Sequence, residues 1–92
     1  MRRILIFVAF TNIYSDRAIS FFRKFNCFDF IVIVSNNPRY LVRVRSNEHF
    51  LKGSNVNNEF SGWQEGLDFL RYRFSLQEDD KIFFCNDTVF EH

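Results

Sequence analysis

The chain has 92 residues, of which 47% are hydrophobic and 25% are charged, the usual balance of one globular domain. This composition excludes a disordered tail, a collagen-like chain and a mucin-like stalk, and a net charge of +1 gives no reason to expect a nucleic-acid partner. The aromatic share is 20%, with 14 Phe, so the fold must bury aromatic surface against itself or against a partner.

The charge is distributed unevenly along the chain. Residues 1–58 carry nine Lys and Arg against three acids, whereas residues 59–92 carry three against eight. Two explanations stay open at this stage. Either two oppositely charged faces attract each other, or a basic part suits a phosphate and an acidic part suits a metal ion.

The first 35 residues predict a strand, a helix and a second strand. Residues 3–10 and 29–35 are continuous apolar runs, typical of parallel strands that are covered on both faces. Between them Ser15 is the predicted N-cap of a helix, and apolar residues follow it at helical spacing. These are Ala18, Ile19, Phe22 and Phe25. Such a unit is expected to be parallel and right-handed.

Residues 39–58 leave the position of a third strand open. Residues 41–45 alternate between apolar and charged side chains, whereas residues 49–51 form a second short apolar run. Either segment satisfies the pattern of a strand. Residues 53–58 (GSNVNN) have the composition of a loop.

A second helix is predicted over residues 61–74, followed by a last buried strand over residues 81–85. Ser61 and Gln64 have the spacing of a capping box. Gly62 and Gly66 weaken a helix relative to Ala, and we expect them because the helix backbone closely approaches a sheet or a ligand. Trp63 is expected to anchor the core, with a partner for its indole N–H.

The element order predicts one α/β domain over residues 1–92. Its class is a three-layer, Rossmann-like fold with a mostly parallel sheet of about four strands and helices on both faces. Ligands of such sheets bind beyond the carboxyl ends of the strands, where the strand order reverses. If the first and last strands are neighbours, Asn12 and Asp87 face one crevice at that edge.

Several known sites are not predicted. The chain has neither a G-x-G-x-x-G fingerprint nor a P-loop, and Thr11-Asn12 stands where a phospho-receiver domain carries acids. Neither His49 nor His92 belongs to a recognisable catalytic set. The two cysteines, Cys27 and Cys85, form no metal-binding or redox motif, and we expect a reduced, cytoplasmic protein. The apolar run at residues 4–10 is too short to span a bilayer.

Four segments together resemble a known family. They are Phe10-Thr11-Asn12, Val34-Ser35-Asn36-Asn37, the stretch from Asn55 to Leu67, and Phe84-Cys85-Asn86-Asp87-Thr88. The chain resembles the amino-terminal, donor-binding half of a GT-A-type glycosyltransferase, of the inverting family-two or rhamnan-synthesis kind. The resemblance covers nearly the whole chain, and the third segment, with the Asn-Asp-Thr element after it, is the most specific.

This resemblance implies a site for a nucleotide diphosphate sugar. Thr11 and Asn12 would border the base and ribose, and Asn36 would lie on the base. Asn55 and the helix start at Ser61-Gly62 would approach the diphosphate, with Asn86 and Asp87 at the end of the last strand. Asp87 would correspond to the last acid of a D-x-D element and hold Mn²⁺ or Mg²⁺, which prefer carboxylate oxygen and bridge phosphates.

The sequence departs from the family pattern at two positions. Cys85 replaces the first acid of the D-x-D element, and Asn36 stands where Asp is common. The family's acceptor site and general base lie in a following half, so we expect a partial domain that is inactive by itself. Apolar surface left uncovered would then favour self-association.

Two other functions stay open beside this one. The chain fits a nucleotide-binding module without turnover, and it fits a structural or interaction domain whose Phe-rich surface docks a partner. In either case Asp87 has a simpler explanation, since Asn-Asp-Thr is also good turn-forming and capping sequence.

Overall fold

Four strands and two helices make up residues 1–87, the part of the chain that the computed structural model describes, the side chain of Asn12 excepted. In chain order they are β1 (Arg3–Ala9), α1 (Asn12–Phe25), β2 (Phe30–Ser35), β3 (Glu48–Lys52), α2 (Asn58–Arg73) and β4 (Lys81–Asn86). Thr88, the last residue of the predicted Asn-Asp-Thr element, lies outside the described residues.

The strands form one parallel sheet in the order β3-β2-β1-β4. Ile6 at the centre of β1 lies opposite Val32 of β2 and Phe84 of β4. The chain moves outward from β1 to β3 on one side and then adds β4 on the other side of β1. The strand order therefore reverses between β1 and β4, and these two strands are neighbours.

The sheet is covered on both faces, so the predicted three-layer α/β class is confirmed. On one face, Ala18 and Ile19 of α1 pack against alternate residues of β1 and β2. On the other face, Leu70 of α2 packs against the remaining residues of the same strands. Because both faces are buried, the two strands have the continuous apolar sequences from which they were predicted.

The N-caps of both helices lie four residues before the predicted ones. The N-cap of α1 is Thr11 and not Ser15, and the N-cap of α2 is Asn57 and not Ser61. The Ser61 hydroxyl donates to the Asn58 carbonyl from inside the first turn, and the Gln64 amide donates to Asp68, so the predicted capping box is wrong. The groups that fix these starts come from elsewhere in the chain, as described below.

The third strand is residues 48–52, the second of the two alternatives, and residues 41–45 have no regular structure. Arg23 of α1 explains the difference. Its guanidinium forms an ion pair with Glu48 at 2.6 Å and also donates to the Arg43 carbonyl. Burial by itself would raise the pKa of Glu48, but the hydrogen bonds from Arg23 and from the Arg45 amide hold it below its usual value.

The two glycines of α2 lie directly on β1, which confirms the predicted close approach to a sheet. A Cβ atom at Gly62 would lie 2.6 Å from a methyl group of Val8, and one at Gly66 would lie 2.5 Å from a methyl group of Ile6. The absence of side chains therefore sets the distance between helix and sheet. The indole of Trp63, on the same helix, donates to the Cys85 carbonyl at 3.1 Å, as expected of a core anchor.

No helix within residues 1–87 has both the length and the apolar character needed to cross a membrane.

The close contact at Gly66 gives a stability prediction. Gly66→Ala adds a methyl group that overlaps Ile6, and we expect a loss of about 1–3 kcal/mol in the free energy of unfolding, although Ala is the better helix former by about 1 kcal/mol. Urea denaturation measures the change. Gln64→Ala, on the exposed side of the same helix, is the control and should change stability by less than about 0.5 kcal/mol. An equally stable Gly66→Ala variant would contradict the packing.

Candidate functional site

Asp87 follows β4 directly and lies against the first turn of α1. Its Oδ2 atom accepts hydrogen bonds from the amides of Phe10 (2.9 Å) and Thr11 (2.6 Å). The same oxygen accepts from the hydroxyls of Thr11 (3.1 Å) and Ser15 (3.0 Å). Asp87 is only 1% exposed, so four donors surround one buried carboxylate oxygen.

This carboxylate holds the entry to α1, because it accepts from the amides of the N-cap residue Thr11 and of Phe10 before it. The N-cap side chain of Thr11 forms no capping hydrogen bond of its own, and α1 has no acid in its first turn. A negative group at the positive end of a helix is favourable, and Asp87 supplies one from the neighbouring strand. The structure therefore gives Asp87 a defined role in joining β4 to the start of α1.

The described residues do not fit a site for Mn²⁺ or Mg²⁺. Hard divalent cations are held by several oxygen ligands, often from more than one carboxylate. Oδ2 of Asp87 is already surrounded by four donors, and residues 1–87 contain no group of three or more His, Cys, Asp or Glu that could hold a metal ion.

Asn37 joins the ends of β1 and β2. Its side-chain Nδ2 donates to the Phe10 carbonyl at 3.0 Å, and its side-chain Oδ1 accepts from the backbone amide of Arg39 at 3.0 Å. The hydroxyl of Ser35, the last residue of β2, donates to the Asn37 carbonyl at 2.8 Å. These bonds hold the turn after β2 against the turn after β1.

Asn36 makes a separate connection, toward α2. It is buried, and its side-chain Nδ2 donates to the Asn58 carbonyl at 2.9 Å. Its side-chain oxygen has no hydrogen-bond partner and faces Gly53, where any Cβ atom would overlap it. Asn58 itself has a φ of 52°, a left-handed conformation that Asn tolerates. Asn36 thus fixes the start of α2.

A cleft of about 500 Å³ opens beside these turns, a volume that suits a small-molecule ligand. Its lining combines two aromatic rings, polar groups and one cation. The residues are Phe10, Thr11, Ile13, Tyr14, Asn37 and Arg39. None of them is acidic. An aromatic ring can stack on a planar base, and the guanidinium of Arg39 can bind a phosphate.

The segment that carries Arg39 is tied to α1. Tyr40 is buried, and its hydroxyl donates to Asp16 at 2.6 Å. Burial, with that hydrogen bond and the nearby charge of Asp16, raises the pKa of Tyr40 well above its usual value, so the phenol stays protonated. The cleft therefore has a wall that is held in place at Tyr40.

The predicted site residues fall into two groups. Thr11 lines the cleft and contacts Asp87, which follows Asn86 at the end of β4. The second group lies at the start of α2: Asn36 bonds to Asn58, Ser61 lies in the first turn, and Gly62 is buried against Val8.

The two other predicted residues lie elsewhere or are described only in part. Asn55 lies in the exposed loop before α2, with a φ of 55°. Asn12 is the first residue of α1, and its side chain lies outside the description.

Of the six residues that line the cleft, only Thr11 was predicted as a site residue, and the other five were missed: Phe10, Ile13, Tyr14, Asn37 and Arg39. Tyr14 follows Thr11 by three positions, which is nearly one helical turn. A predicted helix that began at Asn12 would therefore have placed Tyr14 on the same side as Thr11. Asn37 and Arg39 follow the second strand, where Asn36 was the one residue predicted to contact a ligand.

The chain matches no known protein family, no curated protein and no solved structure.

The Asp87 contacts give a test that separates capping from metal binding. In the presence of EDTA, Asp87→Ala should lower the free energy of unfolding by about 3 kcal/mol, because it leaves charge-assisted donors without their acceptor. Ser15→Ala removes one of those bonds and should cost about 1 kcal/mol. Glu78→Ala, at an exposed acid, is the matched control. An Asp87→Ala variant as stable as the parent chain in EDTA would show that the carboxylate does not cap α1.

Proposed function

We propose that this domain binds a nucleotide diphosphate sugar at the carboxyl edge of its sheet, as the donor-binding part of a glycosyltransferase that acts in polysaccharide or glycoconjugate synthesis. The observation that carries the proposal is the cleft between the turns after β1 and β2, next to the point where the strand order reverses. Ligands of open parallel sheets bind beyond the carboxyl ends of the strands, which is the edge where this cleft lies. The four segments that resemble the GT-A family supply the class of ligand.

The chemistry of the cleft suits the two ends of a nucleotide. Tyr14 and Phe10 offer aromatic surface for a base, and Thr11 and Asn37 offer polar groups for ribose. Arg39 is the charged residue of the lining, and it suits a diphosphate. Asp87 contributes indirectly, because its hydrogen bonds hold the backbone of Phe10 and Thr11 in the wall of the cleft.

A nucleotide-binding module without turnover is the second candidate. The observation in its favour is that the six lining residues include no carboxylate and no histidine to deprotonate an acceptor hydroxyl. Glycosyl transfer by this domain would therefore depend on a base from outside the cleft. The free thiols of Cys27 and Cys85 suit a reducing compartment, and we propose a cytoplasmic location for either function.

Calorimetric titration tests nucleotide binding. We expect one of uridine, guanosine and thymidine diphosphate to bind saturably in EDTA, with little change when Mn²⁺ replaces EDTA. Arg39→Ala should weaken binding about tenfold or more, because it removes the cation that faces the diphosphate. Arg71→Ala, at an exposed position on α2, should leave binding unchanged. No heat with any nucleotide would contradict the proposal. Binding that requires Mn²⁺ would show that a metal ion takes part in holding the nucleotide.

The two edges of the sheet differ in a way that bears on self-association. β3 carries Glu48 and Lys52 at its two ends, and charged residues are a common protection of sheet edges. β4 has four uncharged residues from Ile82 to Cys85, and Phe83 and Phe84 are 42% and 49% exposed. The amide of Lys81 donates to the Arg2 carbonyl. In a parallel ladder, the backbone groups of Ile82 and Phe84 therefore point away from β1.

We propose that the β4 edge pairs with a second copy of the chain. Sedimentation velocity over a concentration series should show a reversible dimer, and Phe84→Lys should shift the equilibrium toward monomer by placing a charge on the edge. Tyr72→Lys adds the same charge at an exposed site on α2 and should not change the equilibrium. A parent chain that stays monomeric at the highest concentration would contradict this pairing.

A further inference from the structure

The outward side of α1 combines exposed aromatic and basic residues. Phe21 and Phe25 are one turn apart, with ring centroids 4.7 Å from each other, and they are 43% and 57% exposed. Arg17 and Lys24 lie beside them, and all four border one shallow cleft. Lys24 places its ammonium 5.7 Å from the centre of the Phe25 ring. A helix normally turns such aromatic residues toward the core, so their exposure calls for an explanation.

The segment after β2 extends this surface. Leu41, which is 68% exposed, and Arg43 border a second shallow cleft together with Asp16 and Ser20 of α1. Asp16 and Ser20 also border the first cleft, so the two are continuous. We call this surface the α1 outer face, and it consists of Arg17, Phe21, Lys24, Phe25, Leu41 and Arg43.

The basic and acidic residues of the molecule lie on different sides, and the α1 outer face belongs to the basic side. Among the described residues, α1 and the segment from 36 to 47 carry six Arg and Lys against the single acid Asp16. One of the six, Arg23, is paired with Glu48. By contrast, α2 and the connector that follows it carry Glu59, Glu65, Asp68 and three acids at residues 78–80, against Arg71 and Arg73. A net charge of +1 thus conceals one basic and one acidic side.

We propose that the α1 outer face binds the surface of an anionic lipid bilayer. Exposed Phe and Leu side chains among Lys and Arg are the composition of segments that lie in the membrane interface, with rings in the headgroup region and cations on lipid phosphates. The face runs along a helix of 14 residues, about 21 Å long, so several of its side chains reach a flat surface together. Charge complementarity fixes the orientation, because the acidic α2 side then points away from the lipid.

This inference is independent of the nucleotide site. None of the six residues of the α1 outer face lines the cleft at Thr11 and Arg39. If the proposed function is also correct, the domain binds its nucleotide while it lies on a membrane. Loss of one activity is not expected to remove the other.

Vesicle flotation tests the proposal with the full 92-residue chain. The chain should float with vesicles of phosphatidylcholine and phosphatidylglycerol but not with phosphatidylcholine alone, and added salt should weaken binding. Each cation near an anionic surface strengthens binding about fivefold. The double variant Lys24→Glu with Arg43→Glu should therefore bind more than about tenfold more weakly. Arg43→Glu alone should show part of the loss, which guards against an effect of Lys24 on helix stability.

A substitution of Phe25 separates lipid insertion from simple attraction between charges. Phe25→Ser keeps every charge and should still lower vesicle binding severalfold, because it removes an aromatic ring from the interface. Tyr72→Ser and Arg71→Glu, at exposed positions on α2, are the matched controls and should bind as the parent chain does.

Three results would overturn the proposal. The first is a parent chain that does not float with anionic vesicles. The second is equal loss from the control variants on α2. The third is unchanged vesicle binding by Phe25→Ser together with equally strong, charge-dependent binding of the chain to heparin, since that pattern describes a general polyanion surface.

Discussion

A single buried carboxylate joins the last strand to the first helix, and the geometry of the carboxyl edge depends on it. Oδ2 of Asp87 accepts hydrogen bonds from the backbone of Phe10 and Thr11 and from two hydroxyl groups of the first helical turn. Because β1 and β4 are adjacent and parallel, this contact is short in space although Thr11 and Asp87 are 76 positions apart in sequence. It places the start of α1 and, with it, Tyr14 in the wall of the cleft.

The second helix is also held by a side chain that follows a strand, although here the side chain donates to the helix instead of accepting from it. Asn36, at the end of β2, donates to the first residue of α2, and Gly53 leaves room for its side-chain oxygen. Each helix therefore begins at a side chain that comes from the end of a strand. Between these two anchors, Asn37 holds the turns after β1 and β2 together. At the edge proposed to bind a nucleotide, hydrogen bonds from Asp87 and Asn37 hold the turns in place, which gives a preformed cleft instead of one that a ligand must order.

Most of the architecture was predictable because it depends on local patterns. Apolar runs identified β1, β2 and β4, and the spacing of Gly62 and Gly66 indicated where a helix contacts the sheet. The prediction that the last strand is buried was wrong, because β4 is an edge strand with Phe83 and Phe84 partly exposed. The helix starts were not predictable in this way, since the cap of α1 lies far along the chain and Ser15 has the local sequence of a cap. The third strand depended on an ion pair between Arg23 and Glu48, which no local pattern contains. For the site, Thr11 and Asp87 were identified, whereas Arg39 required the folded position of the turn after β2.

The central claim is that Asp87 holds the start of α1 by hydrogen bonds and does not hold a metal ion. Titration of the nucleotide-free, ¹⁵N-labelled chain with Mn²⁺ tests it directly, because the paramagnetic ion broadens the amide signals of residues close to it. The account predicts that the signals of Phe10 and Thr11 keep their intensity at Mn²⁺ concentrations that do not affect the chain as a whole. Selective loss of these two signals at low Mn²⁺ would place a metal ion at Asp87 and contradict the account.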